Sequence, residues 1–365
     1  QARQESELSA ALLSVFESYG YEQVSPPLLE YSDSLLSGRG AALSSQIFRV
    51  MDPGAHKVMG FRADITLQIA RIAASRLAGS PRPLRLCYNG LILRMQGERQ
   101  NGARQLRQAG IELIGAASPE ADAEVILVAA EALKRAGVTK LSIDLNLPGI
   151  VSSLLASETL DHDQLQALFA AIAHKDVSAV RGFSLRYRDS LIALMQCAGP
   201  AKAAMGAMEK LDLPESARKQ VRDLAEVLRI LQASAHADWS YTVDATERSE
   251  LDYHSGISFS IFIPGVACEV GRGGRYRIEA SGQSAGDEAT GFTLYVETLL
   301  GLLPEAKPHK RIFAAEGIAA SGLEKLRAEG YVVICALSEY GNDAEEAKRL
   351  GCGFMWKHGK IESLG

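Results

Sequence analysis

The sequence predicts an α+β protein: a strand-rich core with flanking helices, interrupted by a helical insertion and followed by a small α/β domain. Three observations carry this. The segments "LRLCYNGLILRM" and "RQLRQAGIELIG" are β-rich and joined by the polar "QGERQNGA", the pattern of a long hairpin. From about Val151 to about Ala237 the chain turns to Ala, Leu and charged residues with almost no strand signal. After Pro308, strand and helix patterns alternate, which predicts parallel strands.

The elements follow in order. Leu8, Leu12, Val15, Phe16 and Tyr19 recur at three and four, predicting an amphipathic helix over Glu7–Tyr19 that Gly20 ends. "YEQVSPPLLEY" reads as a short strand, and Pro26 and Pro27, which cannot donate ladder hydrogen bonds, place it at an edge or interface. "FRADITLQIARIAASRL" reads as a turn, with Asp64 or Thr66 near the start of a helix whose apolar face runs through Ile69, Ile72 and Leu77. Asp122 to Ala136 is a helix and "KLSIDLNLP" a strand. The insertion breaks at Gly199-Pro200 and at "LDLPES". Strand signals return from Trp239 to Glu269, then come "GRGGRY" and "TGFTLYVETLLGLL", the latter read as a helix. The expected domains are residues 1–150 and 238–303, two parts of one core, with 151–237 as the insertion and 309–365 as the α/β domain after a linker bounded by Pro304 and Pro308.

At 365 residues the chain exceeds one compact core. A net charge of -5 gives no electrostatic reason for non-specific nucleic-acid binding, which needs clustered cations. The five cysteines, 87, 197, 268, 335 and 352, are scattered and never spaced as CxxC, so neither a disulfide framework nor a metal site is indicated. No apolar run reaches the roughly 18 residues a bilayer span needs, and no charged start precedes a signal stretch. A soluble, unexported protein of the reducing cytoplasm is expected. The chain opens at Gln1 inside a helical pattern, so a natural N-terminus is expected upstream.

The standard chemical motifs GxxxxGK, HExxH, GxSxG and GxGxxG after a strand are absent. The glycines of "GRGGRY" more often mark a bulge or close packing than a ligand cradle. Asp64 and Thr66 read most simply as helix caps. Gln108 and Glu112, four apart in a strand, share one face with Ile114, so Glu112 either sits in an internal ion pair with a nearby arginine or meets a ligand. Arg94, Arg99, Arg104 and Arg107 form a solvated face or hold phosphates. In "SELDYHSGISFSIF", Asp252, Tyr253 and His254 stand at the mouth of a strand with no Lys or Arg among them, and His254 alone reads as a hydrogen-bonded structural histidine.

Together the segments resemble a family. "GYEQVSPPLLE", "LILRMQ" and "TGFTLYVETLL" are similar, in order, to the three motifs of class II aminoacyl-tRNA synthetases, and "FRADIT", "RQAGIELIG", "LDYHSGISF" and "GGRY" to signatures of histidyl-tRNA synthetase. The resemblance implies a class II synthetase-like antiparallel sheet over roughly residues 7 to 300, outside the insertion. It also implies where the chemistry is missing. Ser249, followed by Glu250, stands where the synthetases carry an arginine that stabilises charge during adenylation, and Arg248 is one residue out of register. Glu297-Thr298 replaces the Glu-Arg of the third motif, and Arg94-Met95-Gln96 keeps the cation of the second motif and loses its carboxylate. Without those cations adenylation should fail.

The amino-acid side is kept. By resemblance, Asp64, Thr66 and Gln108 hold a ligand's α-amino group, Glu112, Tyr253 and His254 surround an imidazole, and Arg94 completes a histidine-binding set. A short, charge-balanced C-terminal segment argues against tRNA recognition. This pattern resembles the regulatory subunits of ATP phosphoribosyltransferase, histidyl-tRNA synthetase paralogues. That resemblance implies no catalysis and no cofactor, a homodimer within a hetero-octamer with a short catalytic subunit, and histidine as allosteric feedback ligand in the first step of histidine biosynthesis. It implies neither nucleic acid nor membrane as partner. The competing expectation is a divergent histidyl-tRNA synthetase or other amino-acid-activating ligase, and histidine-dependent pyrophosphate exchange separates the two.

Overall fold

The computed structural model describes residues 2–95, 102–234, 239–247, 254–266, 268–279, 286–303, 310–315, 320–337, 342–357 and 359–364. Two compact units divide the chain, Gln1–Leu303 and Pro304–Gly365. Within the first, α1 (Ala2–Ser18) precedes β1 (Glu22–Gln23), β2 (Leu29–Tyr31), α2 (Ser32–Leu35), β3 (Arg49–Asp52), β4 (Lys57–Phe61) and α3 (Thr66–Ala74). The hairpin strands β5 (Leu84–Leu93) and β6 (Gln105–Ile114), then α4 (Pro119–Arg135) and β7 (Ser142–Asn146), follow. Six helices come next, α5 (Gly149–Leu155), α6 (His162–Ala173), α7 (Val177–Arg181), α8 (Arg188–Gln196), α9 (Ala201–Met208) and α10 (Glu215–Ala233), with the two-residue β8 (Gly199–Pro200) before α9. The unit closes with β9 (Ser240–Val243), β10 (His254–Phe262), β11 (Glu269–Ile278), β12 (Asp287–Tyr295) and α11 (Val296–Leu302).

Among the described residues the main sheet has nine strands in the order β1-β5-β6-β12-β11-β10-β7-β9-β8, antiparallel except for the β1–β5 and β7–β9 pairs. A separate small sheet pairs β2, β4 and β3. Period-two alternation divides the main sheet into two faces. Ala109, Ile111, Leu113, Phe259, Ile261, Phe292 and Leu294 join one apolar cluster with α1, α4 and the helices after β7, through Leu12, Phe16, Ile126, Leu168, Leu194 and Leu224. Each such side chain contributes about 1.5–3 kcal/mol on burial. The other face packs Leu86, Tyr88, Ile114, Tyr276 and Ala289 against Ile65 and Ile69 at α3.

Several local expectations change. The stretch 21–31 is two strands in two sheets, not one, because Pro26 and Pro27 remove the donors that would continue a ladder. Tyr21 is buried in its own chain, its hydroxyl donating to Glu124. The stretch "TGFTLY" is strand, and only Val296–Leu302 is helix, since β12 lies between β6 and β11 and must bond on both sides. The cap of α3 is Ile65, with no side-chain cap bond, so neither Asp64 nor Thr66 caps it. The helix expected over Asp122 to Ala136 starts earlier, at Pro119, because Ser118 caps it and Pro119 fits its first turn, and it ends at Arg135.

The second unit, β13 (Arg311–Ala314), α12 (Ala320–Ala328), β14 (Val332–Cys335), α13 (Asp343–Arg349), β15 (Phe354–Lys357) and β16 (Lys360–Ser363), pairs β13 in parallel with β14 and β15. The final "GFMWKHGKI" is an antiparallel hairpin rather than one strand, with Gly359 in its turn at φ 77°. The expected linker 304–308 lies outside the described residues. Among the described residues no helix is long and apolar enough to cross a membrane.

Candidate functional site

The site forms where the α3 face of the sheet runs out of large apolar side chains. Cross-strand register stacks Gln108 beside Tyr295, Gly110 beside Thr293, and Glu112 beside Gly291, which in turn neighbours Gly274. Glycine at 291 makes room for the Glu112 side chain, and glycine at 274 lets His254 lie close over β11: a Cβ at Gly291 would collide with Glu112 Oε2, and one at Gly274 would stand 2.7 Å from His254 Cδ2. The glycines of "GRGGRY" and "TGFTLY" therefore do the close-packing work that glycine in a strand performs, around Glu112 and His254.

A buried guanidinium holds the rim. Arg62 donates to Leu91 O and to Pro26 O, both at 2.7 Å, and to Gln68 Oε1 at 3.3 Å. These bonds fix the turn between β4 and α3 against β5, so Asp64 reaches the sheet. Gln108 accepts from the Ile65 amide at 3.1 Å and donates to Asp64 Oδ2 at 3.0 Å, its amide tying the turn to β6. Arg94 Nε donates to the Ala63 carbonyl at 3.2 Å, putting a cation beside the same turn. Thr66, at the start of α3, shares a hydrogen bond with Tyr88 OH at 3.3 Å, and Tyr88 OH pairs with Thr293 Oγ1 at 2.7 Å. Burial pushes the Tyr88 phenol well above its ordinary pKa, so it serves as a neutral hydroxyl.

Glu112 is 1% exposed. Its Oε2 accepts from Tyr276 OH at 2.9 Å, while Oε1 meets no hydrogen-bond partner among the described residues. No Lys or Arg pairs with it there, so the expected internal ion pair is not the arrangement found. Burial pushes the carboxyl up to about 8; the hydroxyls of Thr66 and Tyr276 oppose the rise and the Asp64 carboxylate adds to it. A buried acid with an open acceptor and no cation is poised for a ligand that brings donors.

Of the expected residues, the fold thus gathers Asp64, Thr66, Arg94, Gln108 and Glu112 around the turn before α3, and His254 opens β10 opposite Tyr276. Tyr253, Asp252, Arg248, Ser249, Glu250, Gln96 and Arg99 lie outside the described residues. Arg107 is not a phosphate holder on a solvated face: it pairs with Glu5 at 2.6 Å and donates to Asn89, a tie between α1 and the hairpin. Glu297 accepts from the Arg107 amide at 2.7 Å. Sequence reasoning missed Tyr276 and Tyr88. The "GGRY" stretch contains Tyr276, but its role depends on register with strands far away in the chain.

The histidyl-tRNA synthetase family profile matches residues 1–299. The ATP phosphoribosyltransferase regulatory subunit of Rhodospirillum centenum is 41% identical over 100% of this chain and 93% of its own length. That of Paramagnetospirillum magneticum is 42% identical over 95% of this chain and 90% of its own. Among solved structures, an ATP phosphoribosyltransferase regulatory subunit/histidyl-tRNA synthetase from Bacillus halodurans superposes with a TM-score of 0.80 at 24% identity, over 95% of this chain and 92% of that one, a likeness of fold.

Proposed function

This chain belongs to the ATP phosphoribosyltransferase regulatory subunits, non-catalytic members of the histidyl-tRNA synthetase family, and on that premise we propose that it binds histidine for feedback inhibition and activates a short catalytic subunit. The observation that carries this is one group of polar residues beside the α3 turn. Buried Glu112 has an acceptor oxygen with no partner among the described residues, and near it Gln108 bonds Asp64, offering an ammonium a carboxylate and an amide oxygen. Free histidine has one donor-rich group at each end, the imidazole and the α-amino group. Tyr253 and His254 complete the imidazole end in this reading, with Thr66 and Arg94 at the amino-acid end.

The assembly in this proposal is a homodimer within a hetero-octamer, working in the cytoplasm with no cofactor and no nucleic acid. Output appears in the partner's kinetics, because an inhibitor that favours one state of a complex shifts the equilibrium only by its differential affinity. Calorimetric titration of histidine into wild type and Glu112→Ala tests the site. A loss of about ten- to hundredfold is expected, the cost of roughly 1–3 kcal/mol for a buried polar group left unmatched. A stable variant that binds histidine as wild type does would place the site elsewhere. Histidine-dependent ATP–pyrophosphate exchange by the purified chain would overturn the non-catalytic reading.

A further inference from the structure

We infer, resting on the histidine reading of this site, that the protein supplies the proton of the imidazole contact: Glu112 holds a proton in the empty pocket and passes it to the imidazole on binding. The O–H bond of the carboxylic acid breaks as an N–H bond forms on the ring, and the complex is a carboxylate–imidazolium pair. No outside acid or base is consumed.

The geometry carries this. Among the described residues no Lys or Arg pairs with Glu112, and the groups packed against it do not neutralise a charge. From the turn before α3 comes Asp64, a like charge; from α3 the Thr66 hydroxyl; from β5 Tyr88; from β11 Tyr276; and from the segment after α1 Tyr21. His254, on β10, stands beside Gly274. The buried cation Arg62, before α3, is bound to Leu91, Pro26 and Gln68, and Arg275 pairs with Asp122 on the opposite face of the sheet. Among the described residues Oε1 of Glu112 has no hydrogen-bond partner. An ionised carboxylate there would be a buried charge without a counter-ion, which a protein avoids by keeping the group protonated. Burial accordingly pushes it up to about 8.

A neutral imidazole arriving at neutral pH changes the balance. Its ordinary pKa of about 6.5 lies below that of the empty-pocket acid, but each partner's charge favours the other's, raising the ring and lowering the carboxyl once they touch in a desolvated site. The complex needs one proton in the pair, and between about 6.5 and about 8 the free protein already holds it. Below that window the free ligand carries a proton of its own, and one must be released. Above it the free protein has lost its proton, and one must be taken from water.

The experiment is histidine titration by calorimetry from about pH 6 to about pH 9, each pH in two buffers of different ionisation enthalpy, on wild type and Glu112→Gln. The ratio of the two affinities cancels the titration of the ligand's own α-amino group, which both proteins see. Expected for wild type is a plateau from about 6.5 to about 8 with little net proton exchange, then uptake approaching one proton and a fall approaching tenfold per pH unit above that. The variant should show no such fall relative to its own plateau. Two results overturn the inference and leave the histidine site standing: histidine bound with no proton uptake above pH 8, or an affinity falling steadily from pH 6.5. Should Glu112→Gln not fold, the wild-type proton counts alone decide. Absence of histidine binding at every pH overturns the site reading and this inference with it.

Discussion

Two buried acids on opposite faces of one sheet show what separates a structural carboxylate from a binding one. Asp122, 2% exposed in the first turn of α4, meets Arg275 through Oδ2 at 2.7 Å and Oδ1 at 3.2 Å, and the same guanidinium reaches Ser118 O at 2.7 Å. Glu112, 1% exposed, meets hydroxyls, those of Tyr276 and Thr66, and no cation among the described residues. Asp122 is satisfied from within the chain, and its pair joins β11 to α4. Glu112 keeps one oxygen without a hydrogen-bond partner where Asp122 has a cation. Burial raises both groups, Asp122 to about 6 against the pull of Arg275 and Glu112 to about 8 with no cation to oppose it.

The comparison breaks most visibly at Asp122. Asp122→Ala leaves Arg275 buried without its counter-ion and should cost about 3–5 kcal/mol, read as a large drop in the urea midpoint. Histidine affinity of whatever protein stays folded should be unchanged. The reverse pattern is expected for Glu112→Ala, which removes an unpaired buried acid. Its urea midpoint should hold or rise while histidine affinity drops and, in the complex, feedback weakens with activation intact. If both variants lose stability equally, Glu112 is structural after all.

Stability against pH sharpens the contrast. Each folded-state pKa is raised, so the fold binds the proton more tightly than the unfolded chain does, and the stability this contributes is complete at low pH and lost as pH rises. For Asp122 the loss runs from about 3.8 to about 6, and for Glu112 from 4.5 to about 8, each at up to about 1.4 kcal/mol per pH unit. Glu112→Gln should flatten the curve of unfolding free energy between about pH 6 and 8, reduce its slope between 4.5 and about 6, where Asp122 also titrates, and leave the part below. A slope persisting there would show that another group titrates. The smallest effect is expected for Tyr276→Phe, which removes the phenol donor to Glu112 and should weaken histidine binding by about 0.5–1.5 kcal/mol, measured by the same calorimetry.

Much of this was legible in the sequence for a reason that also explains the misses. In β6 the alternation of Gln108, Gly110 and Glu112 with Ala109, Ile111 and Leu113 writes both faces into one decapeptide, so the shared direction of the two polar residues follows from period two alone. In β12 the cleft face is Gly291, Thr293 and Tyr295, semi-apolar residues that blur the alternation, and the strand runs without a break into a true helix. Its helical reading came from that continuity. Tyr276 reaches Glu112 only because β11 and β12 pair with Tyr276 opposite Ala289 and Gly291 opposite Glu112, a relation no local window contains. The Asp122–Arg275 pair was hidden for the same reason, joining positions far apart in the chain.

The six helices after β7 carry a consequence for how this protein reaches its native state. Leu145 of β7 and Phe259 of β10 are register partners separated by on the order of a hundred positions, with those helices in the interval. Chain-closure entropy grows only as the logarithm of loop length, so the long excursion itself adds little equilibrium cost. Its burden is kinetic, since that pairing must wait for a distant search. Helices that collapse early onto one another would bring the ends of the excursion together and shorten the search, making this region the pacemaker of sheet closure. Substitutions such as Leu224→Ala, in the buried stripe of α10, should then slow refolding as well as hasten unfolding, and stopped-flow traces would separate the two limbs.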